Sequence, residues 1–82
     1  MNDQKKYTRR LRMYKEDYLS VCVYLNVTQD GRKFYDTVIY RKIQVGDKVE
    51  FKRGANLKPK DIPVLMKLLT EASEYLTAEA AS

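Results

Sequence analysis

The run Tyr18-Leu19-Ser20-Val21-Cys22-Val23-Tyr24-Leu25-Asn26-Val27-Thr28 decides the fold. Leu19, Val21, Val23, Leu25 and Val27 fall on one face of an extended chain, and Ser20, Cys22, Tyr24, Asn26 and Thr28 fall on the other. Alternation of this kind, rich in β-branched residues, predicts a half-buried strand. Gln29-Asp30-Gly31 supplies turn chemistry, and Arg32 to Ile43 is again rich in β-branched and aromatic residues, so the two segments are expected to pair as a hairpin. Val45-Gly46-Asp47 turns the chain into Lys48 to Arg53, a short alternating strand that stops at Gly54. Upstream, Tyr7 to Tyr14 alternates Arg10 and Arg12 with Leu11 and Met13 and reads as a first strand. The expectation is a four-stranded meander. The third strand carries apolar residues at both parities (Phe34, Val38 and Tyr40 against Tyr35, Ile39 and Ile43), so both of its faces are expected to meet something.

Beyond Gly54 the period lengthens. Ile62, Leu65, Met66, Leu69, Ala72 and Leu76 form one stripe of an amphipathic helix, whose opposite side holds Lys60, Lys67, Thr70, Glu71 and Glu74. That stripe is expected to cover one face of the sheet. Pro59 or Pro63 marks the start, since proline is tolerated in a first turn, and Asp61 caps the helix if it starts late. Val64, Leu68 and Tyr75 make a second apolar line, which predicts a dimer contact, and Ala78 to Ser82 are expected to fray. The fold class is therefore α+β: a four-stranded antiparallel curved sheet followed by one C-terminal helix, dimeric, with residues 1–82 as a single domain.

Composition supports one folded domain. The chain has 82 residues, 44% of them hydrophobic and 33% charged, which is too apolar for a disordered polyelectrolyte. A chain this short buries a modest share of its surface, and pairing with a second copy is the simplest supplement. No apolar run reaches the roughly 20 residues of a spanning helix, and the N-terminal residues lead into no apolar segment of a secretory signal. An intracellular site is expected, in cytoplasm or nucleoid, or in the nucleus of a eukaryote, with no membrane partner.

The chemistry available is narrow. With no histidine and a single cysteine, Cys22, the chain offers no metal set, no histidine-based mechanism and no internal disulfide. Cys22 reads as a small strand hydrophobe. No nucleophile has a positioned base, no pair of carboxylates shares a cleft, and three glycines at Gly31, Gly46 and Gly54 build no phosphate loop, so an enzyme is not expected and no cofactor is implied.

Charge is the informative property. Residues 1–60 hold fifteen Lys and Arg against seven Asp and Glu, a net +8, whereas residues 61–82 hold only Lys67 against Asp61, Glu71, Glu74 and Glu79, a net −3. A basic sheet and an acidic helix suggest that a polyanion meets the sheet. The net-acidic helix also argues against a duplex reader, which would present a basic helix to the major groove. Single-stranded nucleic acid asks for cations along its phosphates and flat rings for its bases. Arg10, Arg12, Arg41, Lys52 and Arg53 are the expected phosphate contacts, and Tyr24, Tyr35 and Tyr40 the expected stacking rings, with Lys33 and Tyr14 as further members of the basic and aromatic sets.

The segment Phe51-Lys52-Arg53-Gly54-Ala55-Asn56-Leu57-Lys58-Pro59 joins a basic strand end and a glycine to Leu-x-Pro at the mouth of a helix. It resembles the junction of the positive cofactor four family of transcriptional coactivators, which also has phage and bacterial forms. The order of elements is similar too, over nearly the whole chain, and a related arrangement occurs in the plant Whirly proteins. The resemblance implies a homodimer that binds single-stranded or unwound DNA with little sequence preference, in transcription regulation, replication or recombination, alongside the transcription or replication machinery. By position it matches Lys52 and Arg53 to the basic pair before the glycine, and Arg41 or Tyr40 to a basic residue on the third strand. Two rival readings stand beside it: a protein-interaction module, such as a small regulator docking on a polymerase, and a single-stranded RNA binder.

Overall fold

The alternating stretches form strands β1 (Lys5–Glu16), β2 (Leu19–Thr28), β3 (Lys33–Val45) and β4 (Lys48–Arg53), and the helix α1 (Asp61–Ala81) follows. These elements come from a computed structural model, which describes residues 5–54 and 56–81. The strands pair antiparallel in the order β1-β2-β3-β4, an open sheet with one C-terminal helix. The α+β architecture read from the sequence is thus present. α1 runs to Ala81, so Ala78 to Ala81 are helical where fraying is expected, and Ser82 lies outside the described residues. No helix among the described residues is long and apolar enough to cross a membrane.

Tight connections hold the meander in register. The β2–β3 turn is closed by Gly31 N donating to Thr28 O at 3.0 Å and Thr28 N donating to Arg32 O at 2.9 Å. The Asp30 carboxylate accepts from the Thr28 hydroxyl and from Arg32 Nε, which fixes the turn from outside. In the β3–β4 turn Gly46 has φ +62°, a left-handed conformation that glycine adopts without steric cost. β2 and β3 run in step from Leu19↔Arg41 to Val27↔Lys33. β1 does not run in step with β2: the register shifts between Arg10 and Arg12, so that Arg10 lies opposite Tyr24 and Arg12 opposite Val23. Such a bulge inserts one extra residue and reverses the alternation of faces beyond it.

The core lies between α1 and one face of the sheet. Leu19, Val21 and Val23 of β2 pack with Leu65, Leu68 and Ala72 of α1, and Tyr14, Ile39, Leu57, Val64, Tyr75 and Leu76 close around them. The helix is therefore rotated from the expected orientation. Leu68 is only 1% exposed and sits at the centre of the core, with Val64 and Tyr75 packed beside it, so none of the three belongs to an outward stripe. Ile62, Met66 and Leu69 face outward instead, with Met66 62% exposed. The reason is polar. Asp61 heads the buried row Asp61, Leu65, Leu68, Ala72, and its own side chain is 1% exposed. A stripe drawn from apolar residues alone leaves out this anchor: it keeps Leu65, Ala72 and Leu76, which do pack in the core, but takes Ile62, Met66 and Leu69 in place of Val64 and Leu68.

Leu68→Ala is expected to lower unfolding free energy in urea by about 2–5 kcal/mol, the usual cost of a large-to-small change in a core. Met66→Ala is expected to cost under about 0.5 kcal/mol. Equal losses for the two would contradict this rotation of the helix.

Candidate nucleic-acid interface

The sheet face away from α1 is laid out by the strand registers. On β2 it carries Ser20, Cys22, Tyr24 and Asn26, and opposite them on β3 stand Tyr40, Val38, Asp36 and Phe34. β1 adds Thr8, Arg10 and Met13 opposite Asn26, Tyr24 and Cys22, while β4 adds Arg53 opposite Tyr40 and, two residues earlier on the same parity, Phe51. Of the expected contacts, Arg10, Tyr24, Tyr40 and Arg53 thus share this open face.

At its centre the Tyr24 and Tyr40 hydroxyls are 3.3 Å apart and hydrogen-bonded. That bond, reinforced by partial burial, pushes Tyr24 up from the ordinary 10.0 to about 12, so Tyr24 stays a neutral phenol. The pair forms a wall between two depressions. One, of about 210 Å³, has Ser20 and Cys22 at its base, Met13 and Phe51 as apolar sides and Arg10 at its rim. Arg10 lies beside Met13, its Nη1 3.9 Å from the sulfur. The other, of about 220 Å³, is polar, and Thr8, Asn26, Asp36 and Arg53 line it together with the tyrosines. Ser20, Cys22 and Asn26 are buried although they lie on the face away from α1, because they form the base of these depressions. Phe51, 60% exposed, is the most accessible ring of the face, although it is not among the expected stacking rings. Its parity was the available signal: Phe51 and Arg53 alternate on one side of β4, with Lys52 on the other.

The remaining expected contacts lie on the helix side. Arg12, turned over by the bulge, places its guanidinium 4.8 Å from the centre of the Tyr75 ring. Tyr14 packs at the core margin. Tyr35 pairs with Leu25, Lys33 with Val27, and Lys52 with Arg41, all on the parity that faces α1. Because α1 packs over β1 and β2, Tyr35 and Lys52 remain exposed on an uncovered flank. Arg41 has a structural task. Its guanidinium pairs with Asp61, donates to Asn56 O at 3.1 Å and lies 5.1 Å from the Tyr18 ring centre.

Asp61 completes that knot. Besides Arg41, it accepts from the Tyr18 hydroxyl at 2.8 Å and from Lys58 N at 2.8 Å. The reach back to Lys58 N, with Pro59 following it, is one half of a capping box in the turn that leads into α1. Lys58 N and Arg41 together hold the Asp61 carboxyl down from 3.8 to about 2.

The chain matches no family model, no curated protein and no solved structure. The functional reading therefore rests on the geometry of the face. That geometry offers cations at two sides of a ring pair, apolar ledges for stacking and hydroxyls that both donate and accept.

A carboxyl whose folded value is depressed contributes stability that is fully present above its unfolded value and is lost as pH falls through the folded one. Asp61→Asn is thus expected to melt below the parent protein at neutral pH, and the gap should close between about pH 3.8 and about pH 2. A gap of constant size in thermal melts across that window would refute the role of this carboxylate.

Proposed function

We propose that this chain binds single-stranded DNA without strong sequence preference, through the open face of its sheet, and works as a homodimer in transcription, replication or recombination. The observation that carries the reading is the common face: Arg10 and Arg53 flank the hydrogen-bonded Tyr24 and Tyr40, with Phe51 exposed beside them. Guanidinium groups meet phosphate oxygens with charge-assisted hydrogen bonds, and exposed rings stack on any base, at about 1–3 kcal/mol per base. A duplex withholds its base faces from such a surface. The resemblance to the positive cofactor four family at the Phe51–Pro59 junction points the same way. The second copy is expected against the outward stripe of Ile62, Met66 and Leu69, a connected apolar strip on an otherwise charged helix.

The test is fluorescence anisotropy with single-stranded DNA, its duplex and the matching RNA. The single strand should bind most tightly, with log affinity falling against log salt by roughly 0.7 for each phosphate neutralised. A flat salt titration, or preference for the duplex, would remove the reading, and tighter binding of RNA would replace DNA as the ligand. Arg53→Ala should weaken binding roughly tenfold, the loss of one charged hydrogen bond, and Lys52→Ala, on the opposite face, several-fold less. Equal effects would mean that the open face is not the contact surface. Met66→Glu should shift the protein from dimer to monomer in sedimentation without lowering its helix content. A monomer before the substitution would remove the dimer from the proposal.

A further inference from the structure

We infer that the apolar depression of the open face takes one unpaired nucleobase of the bound strand, edge first, and that Ser20 at its base is the hydrogen-bond partner of that nucleobase. The inference rests on the single-strand reading above and adds to it a binding residue and a place for a base below the rim of the sheet. Ser20 is not among the expected contacts.

The Ser20 hydroxyl is the group that asks for a ligand. Ser20 is 7% exposed, and among the described residues its side chain has no hydrogen-bond partner. Its oxygen is not sealed in, since it opens on the depression whose base it forms. The neighbouring polar side chains of the face are already engaged: the Tyr24 and Tyr40 hydroxyls bond to one another, and Asn26 bonds to Thr8 and Asp36. A hydroxyl nine-tenths buried among apolar groups is unfavourable until something outside the chain bonds to it.

The surroundings choose that partner. Cys22 beside Ser20, Met13 and Phe51 at the sides and the tyrosine pair as a wall enclose about 210 Å³, equal to roughly seven waters at their liquid volume, which suits one flat ring with its substituents. A thioether and a phenyl ring both make favourable contacts with an aromatic ring. Past Ser20 the relief continues as a second depression of about 240 Å³, which Met13, Ser20 and Phe51 line as well, together with Lys15 and Lys42. Glu16 and Asp17 also line it, Glu16 being paired with Lys67. Arg10 stands at the rim of the first depression. The middle of this trough is thus apolar and sized for a ring, and cations stand at both ends. A nucleotide within a strand has the matching pattern, a neutral aromatic base between two phosphates, whereas a fatty acid would bring an anion to one end alone.

A serine hydroxyl both donates and accepts. The edge of every base carries groups that answer one or the other, so the contact serves any of the four bases. In a duplex those edges are engaged with each other. The site therefore separates an unpaired base from a paired one, and from no base at all, without selecting a sequence.

The probes are oligo(dT) and a strand of equal length made of abasic deoxyribose phosphates, which carries the same charge and no bases. Wild-type protein should bind oligo(dT) the more tightly. Ser20→Ala should weaken oligo(dT) binding roughly three- to tenfold, the span of one neutral hydrogen bond, and leave both the abasic strand and the slope against salt unchanged. Ser20→Leu, which fills the depression, should weaken oligo(dT) further. In wild-type protein with labelled methionine methyl groups, oligo(dT) should move the Met13 signal upfield, as a ring laid against it does, while Met66 on α1 keeps its place; the abasic strand should not produce that shift. Ser20→Ala equal to wild type on oligo(dT), or a Met13 signal that stays still, overturns the subsite and leaves the single-strand reading intact. Equal losses on the two strands also overturn it, because Ser20 then supports the fold and not the base. Failure of the wild-type protein to bind oligo(dT) overturns both readings. The methyl measurement needs no variant and so holds even if neither substitution folds.

Discussion

The ion pair between Arg41 and Asp61 is the constraint on which the remainder of the molecule depends. It ties the middle of β3 to the head of α1, and Tyr18 and Lys58 complete the ring of donors around the carboxylate. A pair of this kind adds little net stability over an apolar substitute, because both ions lose their water, but removing one partner leaves a buried charge without compensation. Its structural effect here is directional. With Asp61 held inward, Leu65, Leu68 and Ala72 must follow it into the core one, two and three turns later, and the helix has no freedom to roll. The same pair takes Arg41 out of the set of cations available to a ligand.

The two sides of the sheet consequently have separate tasks. One side is closed by the helix over β1 and β2, with Arg12 laid on Tyr75 at its margin. The other side keeps its long side chains, Arg10, Met13, Phe51 and Arg53, around depressions whose bases are the short side chains of β2. Large groups on the outer strands and small ones on a central strand make a concave relief on a surface that would otherwise be flat. Hydrogen bonds between Tyr24 and Tyr40, and through Asn26 from Thr8 to Asp36, tie that relief across three strands. The two rings at the centre of the face are thus held to one another, and a group already held loses less entropy when something binds it.

Much of this was legible in the chain. Alternation in β2, the glycine-bearing turns and the change of period after Gly54 are local signals, and each corresponds to an element that is present. Neighbouring strand residues point to opposite sides, so Tyr40 with Arg41 and Lys52 with Arg53 could never all serve one face, and the alternation itself contained that division. Other features were not accessible to a periodic reading. The register shift in β1 separates Arg10 from Arg12 although they are two residues apart, and it is a property of the pairing with β2 rather than of either residue. The rotation of α1 was hidden for a similar reason, since a polar residue leads its buried row and the partner that makes its burial tolerable is twenty positions upstream. Phe51 was obscured by its basic neighbours, which drew the reading toward charge and away from the ring.

The irregularity in β1 also bears on self-association. β1 and β4 are the outermost strands of the sheet, and each turns one backbone edge to solvent. A long regular outer strand is a template for further strands and so for aggregation. The extra residue in β1 breaks the even spacing of its outward amide and carbonyl groups, and the strand is rich in positive residues, Arg9, Arg10, Arg12 and Lys15 among them. A second copy approaching edge to edge would meet like charge and a mismatched ladder. The bulge that sorts the arginines between two faces is therefore also a guard against uncontrolled sheet extension.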